Sequence, residues 1–190
     1  MDELVAIVAR CEWFVGVLRV VRDAGLPDAW VGAGALRDLV WGERYGSGFR
    51  PAEVRDVDVA FFDAADLSRQ RDRTATELLA AREPAVPWEA TNQAAVHTWY
   101  HEVFPGDPVE PLVSTADGIA TWPETATAVA VRLDAGDRLR VCAPLGVDDL
   151  LNGVWRPNAR RVGVEQARTR LARLRPGARW PGVRVIGPGD

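Results

Sequence analysis

The chain of 190 residues is 47% hydrophobic and 26% charged, a globular composition long enough for one core, which excludes a disordered chain. All 23 basic residues are arginine, so lysine-nucleophile and Schiff-base chemistry are excluded, and phosphate binding falls to arginine and backbone amides. The formal charge of −4 conceals an asymmetry, because residues 156–190 carry nine arginines against only Glu165 and Asp190.

We read residues 1–190 as a single domain with a basic C-terminal helical segment over about 156–190, packed on its own acidic body or solvated. Cys11 and Cys142 are too few and too isolated for a disulfide framework or a zinc site, and read as small buried apolar residues of a reducing cytoplasm. Asp2-Glu3 stands where a signal peptide would need basic residues, and no apolar run approaches the length of a membrane span. A cytoplasmic protein without membrane association is expected.

In chain order, Asp2 can cap a helix over 3–24, with Leu4, Ile7, Val8, Cys11, Phe14, Leu18 and Val21 on one stripe. Gly25 ends it and Pro27 prevents its return. Residues 29–31 form a strand that runs through a Gly-rich turn into a helix over 35–41, with Arg37 in its first turn. The free amides of that turn, together with Arg37, can hold an anion. Residues 42–51, with three glycines and a proline, read as a loop. A second strand over 56–62 follows. Period-2 alternation puts Asp56 and Asp58 on one face, roughly 6.6 Å apart, with Val57, Val59 and Phe61 toward the core. Two carboxylates aimed one way repel unless a cation sits between them, and divalent metal is the usual answer.

A charged helix over 67–82 is anchored by Leu78 and Leu79, and a short strand over 88–91 follows Pro84 and Pro87. Thr91 or Asn92 can cap a helix over 93–102, on which His97 and His101 stand at zinc spacing but read better as a solvated face. Residues 104–111 are a Pro/Gly/acid loop. A strand over 125–133 turns at Gly136-Asp137 into a second over 139–142, Asp148 or Asp149 caps a helix through Trp155, and an Arg-studded helix covers 164–174. The eight tryptophans are expected mainly in packing, with some able to stack on a base.

Val31-Gly32-Ala33-Gly34-Ala35-Leu36-Arg37-Asp38 followed by Asp56-Val57-Asp58-Val59 resembles the signature of the polymerase-β-type nucleotidyltransferases. The Gly34–Arg37 spacing is similar to the turn of tRNA CCA-adding enzymes, although Ala33 stands where that turn usually has its first Gly. Over about 31–158 the chain more closely resembles a group of bacterial nucleotidyltransferase-like proteins. That resemblance is carried by the blocks around Trp88–His97, Trp122–Arg132 and Ala143–Asn158.

The resemblance implies an α/β (α+β) fold, a polymerase-β-like core with a mixed sheet flanked by helices. It implies metal-dependent transfer of a nucleoside monophosphate from an NTP to a hydroxyl or phosphate acceptor, with Mg²⁺ or Mn²⁺ as cofactor. Asp56 and Asp58 would be the metal carboxylates, while Ala33, Gly34 and Arg37 would bind phosphate. The third metal carboxylate, which such transfer takes from an adjacent strand, is assigned to Glu89, with Asp63 and Asp117 as rivals. The acceptor, whether small molecule, protein or RNA, is left open. A catalytically degenerate nucleotide-binding module and an interaction scaffold are the alternatives.

Overall fold

The computed structural model describes residues 1–103 and 109–187, so most of the loop expected over 104–111 lies outside the described residues. Five strands, β1 (Trp30–Gly32), β2 (Val57–Phe61), β3 (Trp88–Asn92), β4 (Ala130–Leu133) and β5 (Leu139–Cys142), form one mixed sheet. Its order is β3-β2-β1-β4-β5, with β2 and β3 parallel and the remaining neighbours antiparallel. The expected mixed α/β architecture is present.

One face of the sheet is covered by helices because alternate residues of each strand are apolar. Val57, Val59 and Phe61 of β2 are buried as predicted, together with Val31, Trp88, Ala90 and Val131. Against them pack α1 (Asp2–Arg10), α2 (Glu12–Ala24) and α4 (Arg69–Arg82). The stripe read from the sequence is buried except for the half-buried Cys11, but one helix over 3–24 is replaced by two. At Cys11 the backbone turns extended (φ −91°, ψ 96°), and its amide returns to the Val8 carbonyl. The break gives α1 and α2 separate directions, α1 against β5 and α2 against β4 and α4. Asp2 is the first residue of α1 rather than its cap. Gly25 closes α2 in the left-handed region at φ 70°, as expected.

Helix α3 (Ala33–Tyr45) starts directly at the end of β1 and passes through Gly42, where a loop was expected. That glycine is a close approach rather than a breaker, since a Cβ there would stand 2.9 Å from the Gly48 carbonyl oxygen. Asn92 caps the turn of 93–95 by accepting from the Ala94 amide, and α5 (Val96–Val103) follows. A short α6 (Thr115–Ile119), absent from the sequence reading, covers part of the sheet's other face beside Trp30 and Ala130. The strand expected over 125–133 begins only at Ala130, because 125–127 is a 3-10 turn. The hairpin turn is as read, with Asp134 accepting from the amides of Gly136 and Arg138.

Helix α7 (Asp148–Leu151) stops four residues short of the expected end. Gly153 then takes φ 61° against the Tyr45 ring, and 154–155 become strand β6 (Val154–Trp155). After α8 (Val164–Leu174), whose bounds match the sequence reading, come α9 (Pro176–Arg179) and β7 (Arg184–Val185), which pairs in parallel with β6. Trp180 sits edge-on to Trp41 at 5.1 Å and joins the main core, so the basic segment packs back on the body. Both cysteines are free and half-buried. Among the described residues no helix is long and apolar enough to cross a membrane.

The β1–α3 junction needs its glycine at one position and not at the next. A Cβ on Gly32 would lie 2.4 Å from the Val129 carbonyl oxygen, whereas Ala33 is a non-glycine residue at φ 52°. Gly32→Ala should therefore destabilise the protein by about 3 kcal/mol through overpacking. Ala33→Gly should stabilise it by about 1 kcal/mol by relieving the left-handed backbone. Urea titrations of the two variants should show shifts of opposite sign.

Candidate active site

Strand register brings the predicted carboxylates together. Gly32 of β1 pairs with Asp58 of β2, and Asp58 pairs with Glu89 of β3, so the three share one face on neighbouring strands about 4.8 Å apart. Trp88 and Ala90 point the other way into the core, as the alternation predicted. Asp56 precedes β2 by one residue and is exposed. The first turn of α3 lies over this face. A side chain starting at Gly34 would meet Asp56 Oδ1 at 3.6 Å, Arg37 Nη2 at 3.8 Å and Asp58 Oδ2 at 4.0 Å. No contact there is close enough to forbid a Cβ, so Gly34 keeps open ground between two carboxylates and a guanidinium. The rivals stand elsewhere. Asp63 is held by Arg71 at 2.8 Å, and Asp117 lies in the first turn of α6.

The electrostatics are those of uncompensated negative charge. Burial, then the charges of Asp56 and Glu89, push the Asp58 carboxyl from the ordinary 3.8 up to about 7. The Gly34 backbone amide and the Arg37 charge pull the other way and are outweighed. That amide thus faces Asp58, rather than standing free for an anion as the sequence suggested.

Arg37 is also less free than expected. Its side chain is 9% exposed, donates to Asp38 Oδ1 at 2.7 Å, and lies 3.5 Å from Glu124 Oε2. It stacks over Trp180 at 5.3 Å. Glu124 in turn accepts from Arg170 at 2.9 Å, and Asp38 from Arg179 at 2.7 Å. Sequence reasoning missed Glu124, Arg170 and Arg179. The one signal was the excess of arginine after residue 156, which does not say which acids those arginines meet.

Two cavities meet at the carboxylates. One of about 690 Å³ lies on the α3 side, lined by Gly34, Arg37, Arg55, Asp56, Arg173 and Arg179. The other, about 580 Å³, extends toward α5 and is lined mostly by apolar and aromatic groups, including Trp99, Tyr100 and Trp122. Both include Asp58, Glu89, Trp122 and Arg173. Arg55 and Arg173 are exposed and form no ion pair among the described residues, so their charges are available in the first cavity. The histidine pair contributes nothing here. His101 is exposed as expected, but His97 is half-buried, with an Nδ1 that has no partner among the described residues.

The donor set of Asp56, Asp58 and Glu89 consists of hard carboxylate oxygens, the ligand type that suits Mg²⁺ and Mn²⁺. Among the described residues no three His, Cys, Asp or Glu side chains form a ready-made metal cage. Such sites commonly bind Mg²⁺ through one or two carboxylates plus substrate phosphates, so an incomplete cage fits this chemistry.

The five-stranded mixed sheet flanked by helices, with Asp58 and Glu89 on neighbouring strands, is a mixed α/β fold. The nucleotidyltransferase family model matches residues 19–185, and the chain belongs to that family. It is similar to a protein whose NMR structure is described as a CCA-adding enzyme head domain, with 26% identity, TM-score 0.79, and coverage of 98% of this chain and 96% of that one. It also shares the fold of a CCA-adding enzyme in complex with CTP (15% identity, TM-score 0.56, 97% of this chain and 43% of that one). The same holds for the Thermotoga maritima CCA-adding enzyme with tRNA (14% identity, TM-score 0.56, 97% and 42%). The chain therefore spans about two-fifths of those two enzymes. No curated protein matches the sequence.

The Asp58 shift carries a stability signature. A carboxyl with a raised folded pKa holds its proton in the native state while the unfolded chain has lost it, so stability falls as pH rises from 3.8 to about 7. In metal-free buffer Asp58→Asn should melt above the wild type at pH 8, and the advantage should vanish near the ordinary 3.8. Thermal melts across that range check this, and parallel curves at both ends would refute the assignment.

Proposed function

We propose that this protein transfers a nucleoside monophosphate from an NTP to a hydroxyl or phosphate acceptor and releases pyrophosphate. The observation that carries this reading is the Asp58–Glu89 cross-strand pair, with Asp56 at its edge, opening onto an arginine-lined cavity. Bound Mg²⁺ or Mn²⁺ would supply Lewis-acid polarisation of the α-phosphate and neutralise charge on the departing pyrophosphate. Asp56 and Asp58 would hold the cation that accompanies the nucleotide, and Glu89 the one serving the nucleophile. Arg55 and Arg173, which both line this cavity, would grip the β- and γ-phosphates. The Ala33–Gly34 backbone permits close approach there, and Arg37 anchors the turn from beneath.

The acceptor hydroxyl attacks the α-phosphorus in line, its oxygen–phosphorus bond forming as the bond to the β-phosphate oxygen breaks. Pyrophosphate then occupies the arginine lobe until release. Membership of the family and likeness to the CCA-adding head domain support nucleotide as the donor.

The test is pyrophosphate release and calorimetric binding with each NTP, with and without Mg²⁺ or Mn²⁺. Asp56→Asn combined with Asp58→Asn should abolish metal-dependent nucleotide binding while the fold survives. Glu89→Gln should cut turnover by orders of magnitude and leave metal–NTP affinity within severalfold. Undiminished NTP affinity in the double variant would sink the metal assignment. Tight NTP binding without turnover, even with cell extract as the source of acceptor, would leave a nucleotide-binding module instead.

A further inference from the structure

The second cavity is built differently from the first. Ala60, Val96, Trp99, Tyr100, Trp122 and Val162 give it an apolar stretch of wall beside polar residues of α8 such as Glu165 and Arg170, and its volume of about 580 Å³ suits a small organic molecule. Within that apolar lining lie two buried donors without hydrogen-bond partners among the described residues, the indole Nε1–H of Trp99 and Nη1 of Arg161. Arg161 stacks on the Tyr100 ring at 4.6 Å, and no carboxylate makes an ion pair with it among the described residues. Burial pulls the half-buried Arg161 guanidinium down from its ordinary pKa, against a hydrogen bond with the Tyr100 side chain and the more distant charge of Asp117. Buried donors ordinarily find partners, so the unmatched Trp99 Nε1–H and Arg161 Nη1 mark unused donor capacity in this wall. At its other end the cavity reaches Asp58 and Glu89.

Reaction geometry orients the two lobes. Displacement at phosphorus is in line, so the nucleophile enters opposite the leaving pyrophosphate. With pyrophosphate in the arginine lobe, the nucleophile arrives from the side of the apolar one. From this geometry we infer that the Trp99–Arg161 cavity is the acceptor subsite, and that its ligand is a small hydroxyl-bearing carboxylate. Its hydroxyl lies toward Asp58 and Glu89, its apolar or aromatic body lies against Trp122 and Val162, and its anionic end meets Arg161 and the Trp99 N–H. This assignment rests on the transfer reading above. In the step, the acceptor oxygen bonds to the α-phosphorus, the bridging oxygen leaves with its electron pair as pyrophosphate, and the hydroxyl proton passes to solvent. The product is a nucleoside monophosphate ester of the acceptor.

The test uses the full chain with ¹⁵N-labelled tryptophan. The probes are 3-(4-hydroxyphenyl)propionate and 4-(2-hydroxyethyl)benzoate, each beside its uncharged methyl ester, in the presence and absence of Mg²⁺–ATP. Either acid should shift the indole signals of Trp99 and Trp122, with the esters binding at least tenfold more weakly. Arg161→Gln should weaken the acids at least tenfold and leave Mg²⁺–ATP affinity within twofold, which also reports that the variant is folded. Trp99→Phe, which keeps a ring and removes the N–H, should weaken the acids severalfold. Binding of Mg²⁺–ATP with no response to either acid overturns this inference and leaves the transfer reading standing. So does competition between adenosine and the acids, with Arg161→Gln weakening ATP as much as the acid, because the cavity is then the nucleobase site. Failure of Mg²⁺–ATP to bind overturns the transfer reading itself.

Discussion

The carboxylate of Glu124 ties together parts of the chain that are far apart in sequence. It is 2% exposed and sits between Arg37 of α3 and Arg170 of α8, with the Thr127 hydroxyl 3.3 Å from Oε2. The chain of charges continues from Arg37 through Asp38 to Arg179. Desolvating so many ions is tolerable only while each keeps its partner, and removing one partner of a buried pair costs about 3–5 kcal/mol. The C-terminal helices are therefore fixed over the sheet by ionic as well as apolar contacts. Because α8 supplies Arg170 and Arg173 to the walls of both cavities, the site is complete only when that segment is docked.

Beside this compensated cluster stands an uncompensated one. Asp58 faces Asp56 and Glu89, and its opposing charge, Arg37, is already shared with Asp38 and Glu124. Two acidic groups in one wall, one matched and one not, are treated differently by the same fold. A structural carboxylate is paired internally, whereas one left to repel its neighbours at the floor of a cleft is poised for a partner from outside. The contrast separates Glu124, which holds the segments together, from Asp58 and Glu89, which line both cavities.

What was legible in the sequence is what depends on short-range period. The alternation Val57, Val59, Phe61 gave β2 its inward face and so placed Asp58 on the other, and Trp88 and Ala90 did the same for Glu89. Helix 164–174 was readable to the residue because its apolar spacing is regular and Arg175 and Pro176 follow it. The errors have another origin. Gly42 reads as a breaker until the Gly48 carbonyl is seen against it, and the break at Cys11 serves two packing directions that no local pattern shows. β6 and β7 are two residues each and exist only through their pairing across the chain. The full Arg37 environment was not legible for the same reason, since Glu124 lies far away in sequence.

The basic C-terminal segment shows how one composition can serve two physical ends. Arg156, Arg170 and Arg179 pair with Asp149, Glu124 and Asp38, cancelling acids of the body and holding the segment in place. Arg173 and Arg161 have no such acid among the described residues and line the two cavities instead. With Arg37 buried and shared, the guanidiniums of the first cavity that form no ion pair among the described residues are Arg55, from the loop before β2, and Arg173, from α8. Arg173 stands on the helix that Arg170 ties to Glu124, so this part of the cavity wall and the docking of the tail depend on the same buried carboxylate. A tail that looked in the sequence like a separate basic appendage is thereby part of the wall that faces the carboxylates.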